Sequence, residues 1–169
     1  LADFQNPNLI SVSNAQRRPA GDRISFLATI YNGLDPEEFS FNPKPQDYFL
    51  FVGAMGEHKS PHLAIEAARK AGATLVLAGG KAREPYFSQK ILPFVDGAKI
   101  RYVGEVSGRE RIELFRNARG FLMPITWEEP FGLVMIEAMA CGTPVIAFNR
   151  GAVPEVVAHG TTGFVVNDV

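Results

Sequence analysis

From Tyr48 onward the chain alternates short apolar runs with segments of helical character, and few architectures accommodate that alternation. The runs are Tyr48–Val52, Thr74–Ala78, Ile100–Val103, Gly120–Pro124 and Pro144–Phe148. Each is apolar on both faces of its period-2 repeat, as strands of a parallel sheet covered on both sides must be. Helices are predicted between them. Ser60-Pro61 supplies an N-cap and a proline at the first helical position before Leu63–Ala71, and Gly72 stops that helix. Ser107 with Glu110 three residues on reads as a capping box opening a helix through Leu114 to Ala118. Glu84–Val95 is a weaker helix interrupted by Pro93; Leu133–Cys141, ended by Gly142, and Val153–Ala158 complete the set. This pattern predicts an α/β, Rossmann-like domain: a parallel sheet with helices on both faces.

Residues 1–47 differ in texture. Two apolar runs, Leu9–Val12 and Ser25–Tyr31, lie among polar residues; Asn32-Gly33 signals a turn, and Asp35-Pro36 and Asn42-Pro43-Lys44-Pro45 read as connector. We expect residues 1–47 to be the end of a preceding lobe with its crossover, and residues 48–169 to be the domain proper. The chain opens Leu1-Ala2-Asp3-Phe4 and stops at Asn167-Asp168-Val169, just past an apparent strand, so it reads as a piece of a longer protein.

Bulk properties exclude several classes. The 169 residues carry 17 basic and 18 acidic side chains, a net charge of −1. A protein built for phosphate backbones needs a basic excess, so nucleic acid is not an expected partner. One cysteine, Cys141, permits no internal disulfide and fits a reducing compartment. No uncharged apolar run is long enough to cross a membrane. The expected location is the cytoplasm, with peripheral membrane association left open for a longer protein.

Ligands of open α/β sheets bind beyond the carboxyl ends of the strands, beside helix N-termini. The richest such junction here is Trp127-Glu128-Glu129-Pro130-Phe131-Gly132-Leu133-Val134-Met135-Ile136-Glu137. The helix from Leu133 is apolar on every side, which predicts burial, yet Glu137 lies in its middle. A buried carboxylate is costly unless something binds it. Either an arginine elsewhere in the chain pairs with it, or it faces a cleft and accepts hydrogen bonds from ligand hydroxyls such as a ribose pair. Glu129, eight residues earlier, could meet another part of the same ligand. Between the two carboxylates, the free amides of the first turn and the helix dipole make an anion site. A second junction, Gly53-Ala54-Met55-Gly56-Glu57-His58-Lys59-Ser60, has glycines that allow close backbone approach and Lys59 at the mouth of the next helix. Lys59 is read either as a phosphate ligand or as a solvated surface residue. The third, Val103-Gly104-Glu105-Val106-Ser107, presents backbone groups to a base edge or is a plain capped loop.

Other signatures are missing. There is no Gly-x-x-x-x-Gly-Lys-[Ser/Thr] loop and no Gly-x-Gly-x-x-Gly turn after a strand. There is no zinc motif and no Asp-x-Asp, so neither a metal nor another cofactor is expected. His58, His62 and His159 are scattered and read as surface residues.

The Glu-x7-Glu pair, embedded in Glu129-Pro130-Phe131-Gly132 and Glu137-Ala138-Met139-Ala140-Cys141-Gly142-Thr143-Pro144-Val145-Ile146-Ala147, resembles family 4 glycosyltransferases of the two-lobed GT-B fold. Gly151–Glu155 and Gly160–Phe164 also resemble that family's C-terminal lobe in order and spacing. The match is good over residues 48–169; over 1–47, Val12-Ser13 and Asn32-Gly33-Leu34-Asp35 resemble the interdomain crossover. The resemblance implies a retaining transferase that moves a hexose from a UDP- or GDP-linked donor to an acceptor that is a sugar, a lipid or a small molecule. It implies that Glu137 holds the ribose hydroxyls and that Glu129 contacts the transferred sugar in a catalytic role. The amides of Phe131 and Gly132 would bind sugar hydroxyls, those of Leu133 and Val134 the diphosphate, and Lys59 its phosphates. Gly53 and Val106 would complete the nucleotide site.

The chain departs from that pattern at Ala54, where the family carries an arginine that backs up the lysine; Arg83 and Arg150 are the candidate substitutes. Stabilising the departing diphosphate is the main electrostatic task without a metal. The N-terminal lobe, which supplies acceptor contacts, is absent from this sequence, so the fragment alone is expected to be inactive. Two other readings stand beside the transferase. One is a non-catalytic nucleotide-sugar-binding or assembly module that has lost its chemistry; the other, less favoured, is a GT-B phosphorylase or epimerase.

Overall fold

A computed structural model describes residues 8–81 and 84–169. Six strands form one parallel sheet: β3 (Phe49–Val52), β4 (Leu75–Ala78), β5 (Ile100–Gly104), β6 (Gly120–Met123), β7 (Val145–Phe148) and β8 (Gly163–Val166). Their order in space is β5-β4-β3-β6-β7-β8. The chain therefore starts in the middle, winds outward to β5, returns to the centre and winds outward the other way. Outside this sheet, β1 (Leu9–Ser11) and β2 (Phe26–Thr29) make a separate parallel pair.

Side-chain alternation along the strands builds two cores. Leu50, Val76, Phe121, Met123, Val145 and Ala147 point to one face and pack with Phe115, Met135, Ala138 and Val153. Those four come from α3 (Gly108–Asn117), α4 (Leu133–Ala140) and α5 (Val153–Val156). Phe51, Leu75, Leu77 and Leu122 point the other way, onto Ala64, Ile65 and Ala68 of α1 (Pro61–Lys70) and Phe87 of α2 (Tyr86–Lys90). The expected double-faced parallel sheet is what the chain forms.

Several local expectations need correction. Helix 84–95 is only α2 followed by a 3-10 turn at Leu92–Phe94, because Pro93 has no amide to carry the helix on. Among the described residues, neither Ser60 nor Ser107 caps its helix with its side chain. Ser60 sits left-handed at φ 52°, and its hydroxyl bonds the Glu57 carbonyl at 2.8 Å and Thr126 Oγ1 at 3.0 Å instead. Ser107 and Glu110 are exposed, so the capping box stays open. The turn expected at Asn32-Gly33 comes later, at Pro36–Glu38, where Asp35 Oδ1 accepts the Glu37 amide. His62 is half-buried, its Nδ1 2.6 Å from the Tyr86 hydroxyl, rather than a surface residue.

Glu155 ties the β1–β2 pair to the large sheet. From α5 its carboxylate accepts the Asn14 and Ala15 amides at 2.9 and 2.7 Å and the Tyr31 hydroxyl at 2.9 Å. Tyr31 also packs on Phe131, ring centroids 6.2 Å apart, so this early segment reaches the loop before α4.

Candidate functional site at the strand switch

The winding direction reverses between β3 and β6, and these two strands pair only at Phe49–Gly120 and Leu50–Phe121. Beyond that point no further pairing joins them, and the loops that follow them, 53–60 and 124–132, meet each other. Open α/β sheets bind ligands at such switch points.

The first loop is held by its neighbour. Gly53 donates to the Ala78 carbonyl at 3.0 Å and Met55 to the Gly80 carbonyl at 3.0 Å. A Cβ at Gly79, where φ is +143°, would run into the Gly53 carbonyl. The second loop is held on both sides. Thr126 donates to the His58 carbonyl at 3.3 Å, and Ala152 donates to the Glu129 carbonyl at 2.8 Å. Glu128 Oε2 accepts the Gly151 amide at 2.8 Å.

These anchors bring together residues 70 positions apart: Lys59 Nζ lies 2.6 Å from Glu129 Oε2. The Glu129 side chain is only 10% exposed and that of Lys59 24%. Trp127 completes the cluster. Its Nε1–H donates to the same Glu129 oxygen at 3.1 Å, and its ring centroid lies 4.7 Å from Lys59 Nζ. Directly behind, Gly132 turns left-handed (φ 84°) to start α4, where a Cβ would meet Met135 and Met123. The leading amides of α4, at Leu133 and Val134, have no carbonyl one turn earlier to bond, so they are donors at the positive end of a helix. A cation, the free amides of a helix start and a nearly buried carboxylate thus lie close together.

Glu137 is differently placed. It sits on α4 facing α3, and Arg111 Nη2 lies 3.0 Å from its Oε1. Of the two readings of this carboxylate, the ion pair with a protein arginine is the one present. Its second oxygen, Oε2, is buried with no hydrogen-bond partner among the described residues. Burial raises the Glu137 pKa, and Arg111 offsets part of that rise. The expectation that α4 is buried on every side also fails: Met135 and Ala138 are buried, but Leu133 is 50% exposed. The exposure is at the first residue of the helix; the others are buried or half-buried.

Of the remaining candidates, Gly53 begins the Lys59 loop and Phe131 is buried beside Tyr31. Val106 is half-buried in the loop after β5, two strands from the switch. Ala54 is exposed. Arg150, on the loop after β7, lies 3.8 Å from Glu128, the neighbour of Glu129; Arg83 lies outside the described residues. A cavity of about 540 Å³ between α1 and the 86–94 segment is lined by His62, Glu66, Arg69, Lys70 and Lys90 among others. None of the residues of the two switch loops lines it, and we place the candidate site where the charged groups converge.

Residues 35–169 match the family described as Glycosyl transferases group 1. The chain belongs to that family. Among its group 1 relatives, an uncharacterized glycosyltransferase of Methanocaldococcus jannaschii is 30% identical over 96% of this chain and 47% of its own length. The glycogen synthase of Mycobacterium tuberculosis is 30% identical over 85% of this chain and 36% of its own length. In solved structures, AviGT4, a glycosyltransferase of avilamycin A biosynthesis, superposes with a TM-score of 0.82 at 28% identity, covering 95% of this chain and 49% of that one. Anabaena HepE, solved with UDP-glucose, gives 0.81 at 24% identity over 99% and 51%, a likeness of fold. This group 1 chain spans about a third to a half of the length of these relatives. No helix among the described residues is long and apolar enough to cross a membrane.

Trp127 and Arg111 were given no role by sequence reasoning. Trp127 lies two residues before Glu129, a spacing that could have signalled it. Arg111 carries no such signal, since its partner is 26 residues away on another helix.

Proposed function

We propose that this chain is the C-terminal, nucleotide-sugar-binding lobe of a family 4 glycosyltransferase. In this reading a retaining enzyme of GT-B architecture moves a hexose from a UDP- or GDP-linked donor to a sugar, lipid or small-molecule acceptor. The observation that carries the reading is the convergence of Lys59 and Glu129 at 2.6 Å at the strand switch, beside the first amides of α4. Lys59 and the Leu133 and Val134 amides receive the diphosphate, which puts cation and helix dipole where leaving-group charge develops. Glu129, with the Phe131 and Gly132 amides, meets the transferred sugar as the catalytic carboxylate. Glu137 holds the ribose hydroxyls once Arg111 yields, and Gly53 and Val106 complete the nucleotide site. Arg150, beside Glu128, supplies the cation that Ala54 does not.

In the same reading residues 1–47 are the end of an N-terminal lobe that binds acceptor, with the interdomain crossover, and the fragment by itself does not transfer sugar. The whole enzyme works in the cytoplasm, with peripheral contact to a membrane where the acceptor is a lipid. Titration of this chain with UDP, GDP and ADP, followed by amide NMR, tests the donor site. At least one nucleotide should shift the Leu133 and Val134 resonances at micromolar to millimolar concentration; silence with all three rejects the reading. The exposed Ala54 favours one alternative, a binding module without chemistry. That alternative is chosen if the full-length protein binds a donor yet neither transfers nor hydrolyses it.

A further inference from the structure

Lys59 and Glu129, assigned to different parts of the donor, bond to each other at 2.6 Å, so in the donor-site reading a diphosphate competes with Glu129 for the ammonium. Glu129 would then be a nearly buried carboxylate deprived of its cation. One donor stays with it. The Trp127 Nε1–H already reaches Glu129 Oε2 at 3.1 Å, the same oxygen that Lys59 Nζ approaches at 2.6 Å. The indole is itself held in place. His58 packs edge-on against it at 5.7 Å and 83°, and the flanking Thr126 is fixed by Ser60 Oγ and the His58 carbonyl. The face of the same ring lies under the Lys59 ammonium, 4.7 Å from its centroid. One side chain thus touches both partners of the pair.

We propose that Trp127 is a positioning residue that steers the exchange of Lys59 from Glu129 to the donor diphosphate. Its ring and its N–H hold ammonium and carboxylate together. When the more highly charged diphosphate takes Lys59, the indole N–H remains on Glu129 Oε2 and keeps the carboxylate aimed at the sugar. An indole N–H suits this task because it only donates and carries no charge, so it neither competes for the phosphates nor leaves with Lys59. The inference rests on the donor-site reading above.

Trp127 is the only tryptophan in the chain, so its indole N–H gives a single resolved NMR signal. In the unmodified chain, UDP should move that signal downfield, because an oxygen freed from Lys59 is a stronger acceptor. Lys59→Met should show the downfield position without nucleotide, and Glu129→Gln should lie upfield and stay unresponsive. Trp127→Phe, which keeps a ring but removes the donor, should weaken UDP binding about threefold: the bond exists with and without nucleotide, so only its strengthening on loss of Lys59 is forfeited, a fraction of one hydrogen bond to a charged group. That loss should vanish in a Glu129→Gln background, which a merely structural role for the indole would not produce. If UDP shifts the Leu133 and Val134 amides while the indole signal stays still, the proposal is overturned and the donor site survives. If UDP shifts nothing, the donor-site reading falls, and an unchanged indole signal in Lys59→Met overturns the positioning role independently.

Discussion

Replacing Arg111 with Met removes the cation that holds Glu137 and leaves a similar length of apolar side chain. At the observed 3.0 Å, Coulomb attraction is about 1.4 kcal/mol if fully screened by water and about 5.5 kcal/mol at an effective dielectric of 20. The Arg111 side chain is 37% exposed, which places the pair towards the screened limit, and desolvation opposes the attraction. A loss of about 1–2 kcal/mol at pH 7 follows, or roughly 2–8 °C in Tm for a domain of this size. Burial already raises the Glu137 pKa above its ordinary 4.5, and Arg111 works against that rise, so the substitution raises it further. A carboxyl raised in the folded state favours folding while protonated, below the unfolded value, and this contribution is lost as pH rises through the folded value. The penalty of Arg111→Met should therefore be largest near neutrality and fade as pH falls towards 4.5. Adding Glu137→Gln removes the stranded charge and should restore most of the loss at pH 7. Urea unfolding of both single variants and the double variant at several pH values measures all of this. A penalty that does not change with pH, or no recovery in the double variant, would refute the reasoning.

Two further perturbations probe the scaffold of the site. Gly79→Ala should destabilise by more than 2 kcal/mol, since its Cβ would strike the Gly53 carbonyl at positive φ, whereas Gly97→Ala, at φ +75° with open space around it, should cost only about 1 kcal/mol; thermal unfolding of the pair distinguishes steric from conformational cost. Glu155→Gln should cost about 1 kcal/mol at pH 7 and loosen residues 14–31, read from amide exchange. Burial pushes the Glu155 pKa up, but bonds from the Asn14 and Ala15 amides and the Tyr31 hydroxyl outweigh it and leave the value lowered. Its contribution is present above the ordinary 4.5 and lost as pH falls through the folded value, so the variant should differ least from the parent in acid.

The sequence, taken alone, determined the layer architecture, the glutamate pair and the lysine loop. Those follow from local signals: a period-2 repeat that is apolar on both faces, glycines and prolines at element ends, and charged residues at strand–helix junctions. The same local reasoning failed where a neighbour in space decided the outcome. Ser60 carries the residue type of a cap, but Thr126 and Glu57 claim its hydroxyl. Helix α4 reads as apolar all round, yet its packing fully buries only Met135 and Ala138 and leaves Leu133 exposed. Tertiary structure alone decided which groups meet. Strand order sets β3 beside β6 and so brings Lys59 and Trp127 to one oxygen of Glu129, and the packing of α3 on α4 gives Glu137 its arginine. Local periodicity fixes which way a side chain points from its own element. It carries no information on which distant element will stand opposite, and that is settled only when the sheet assembles.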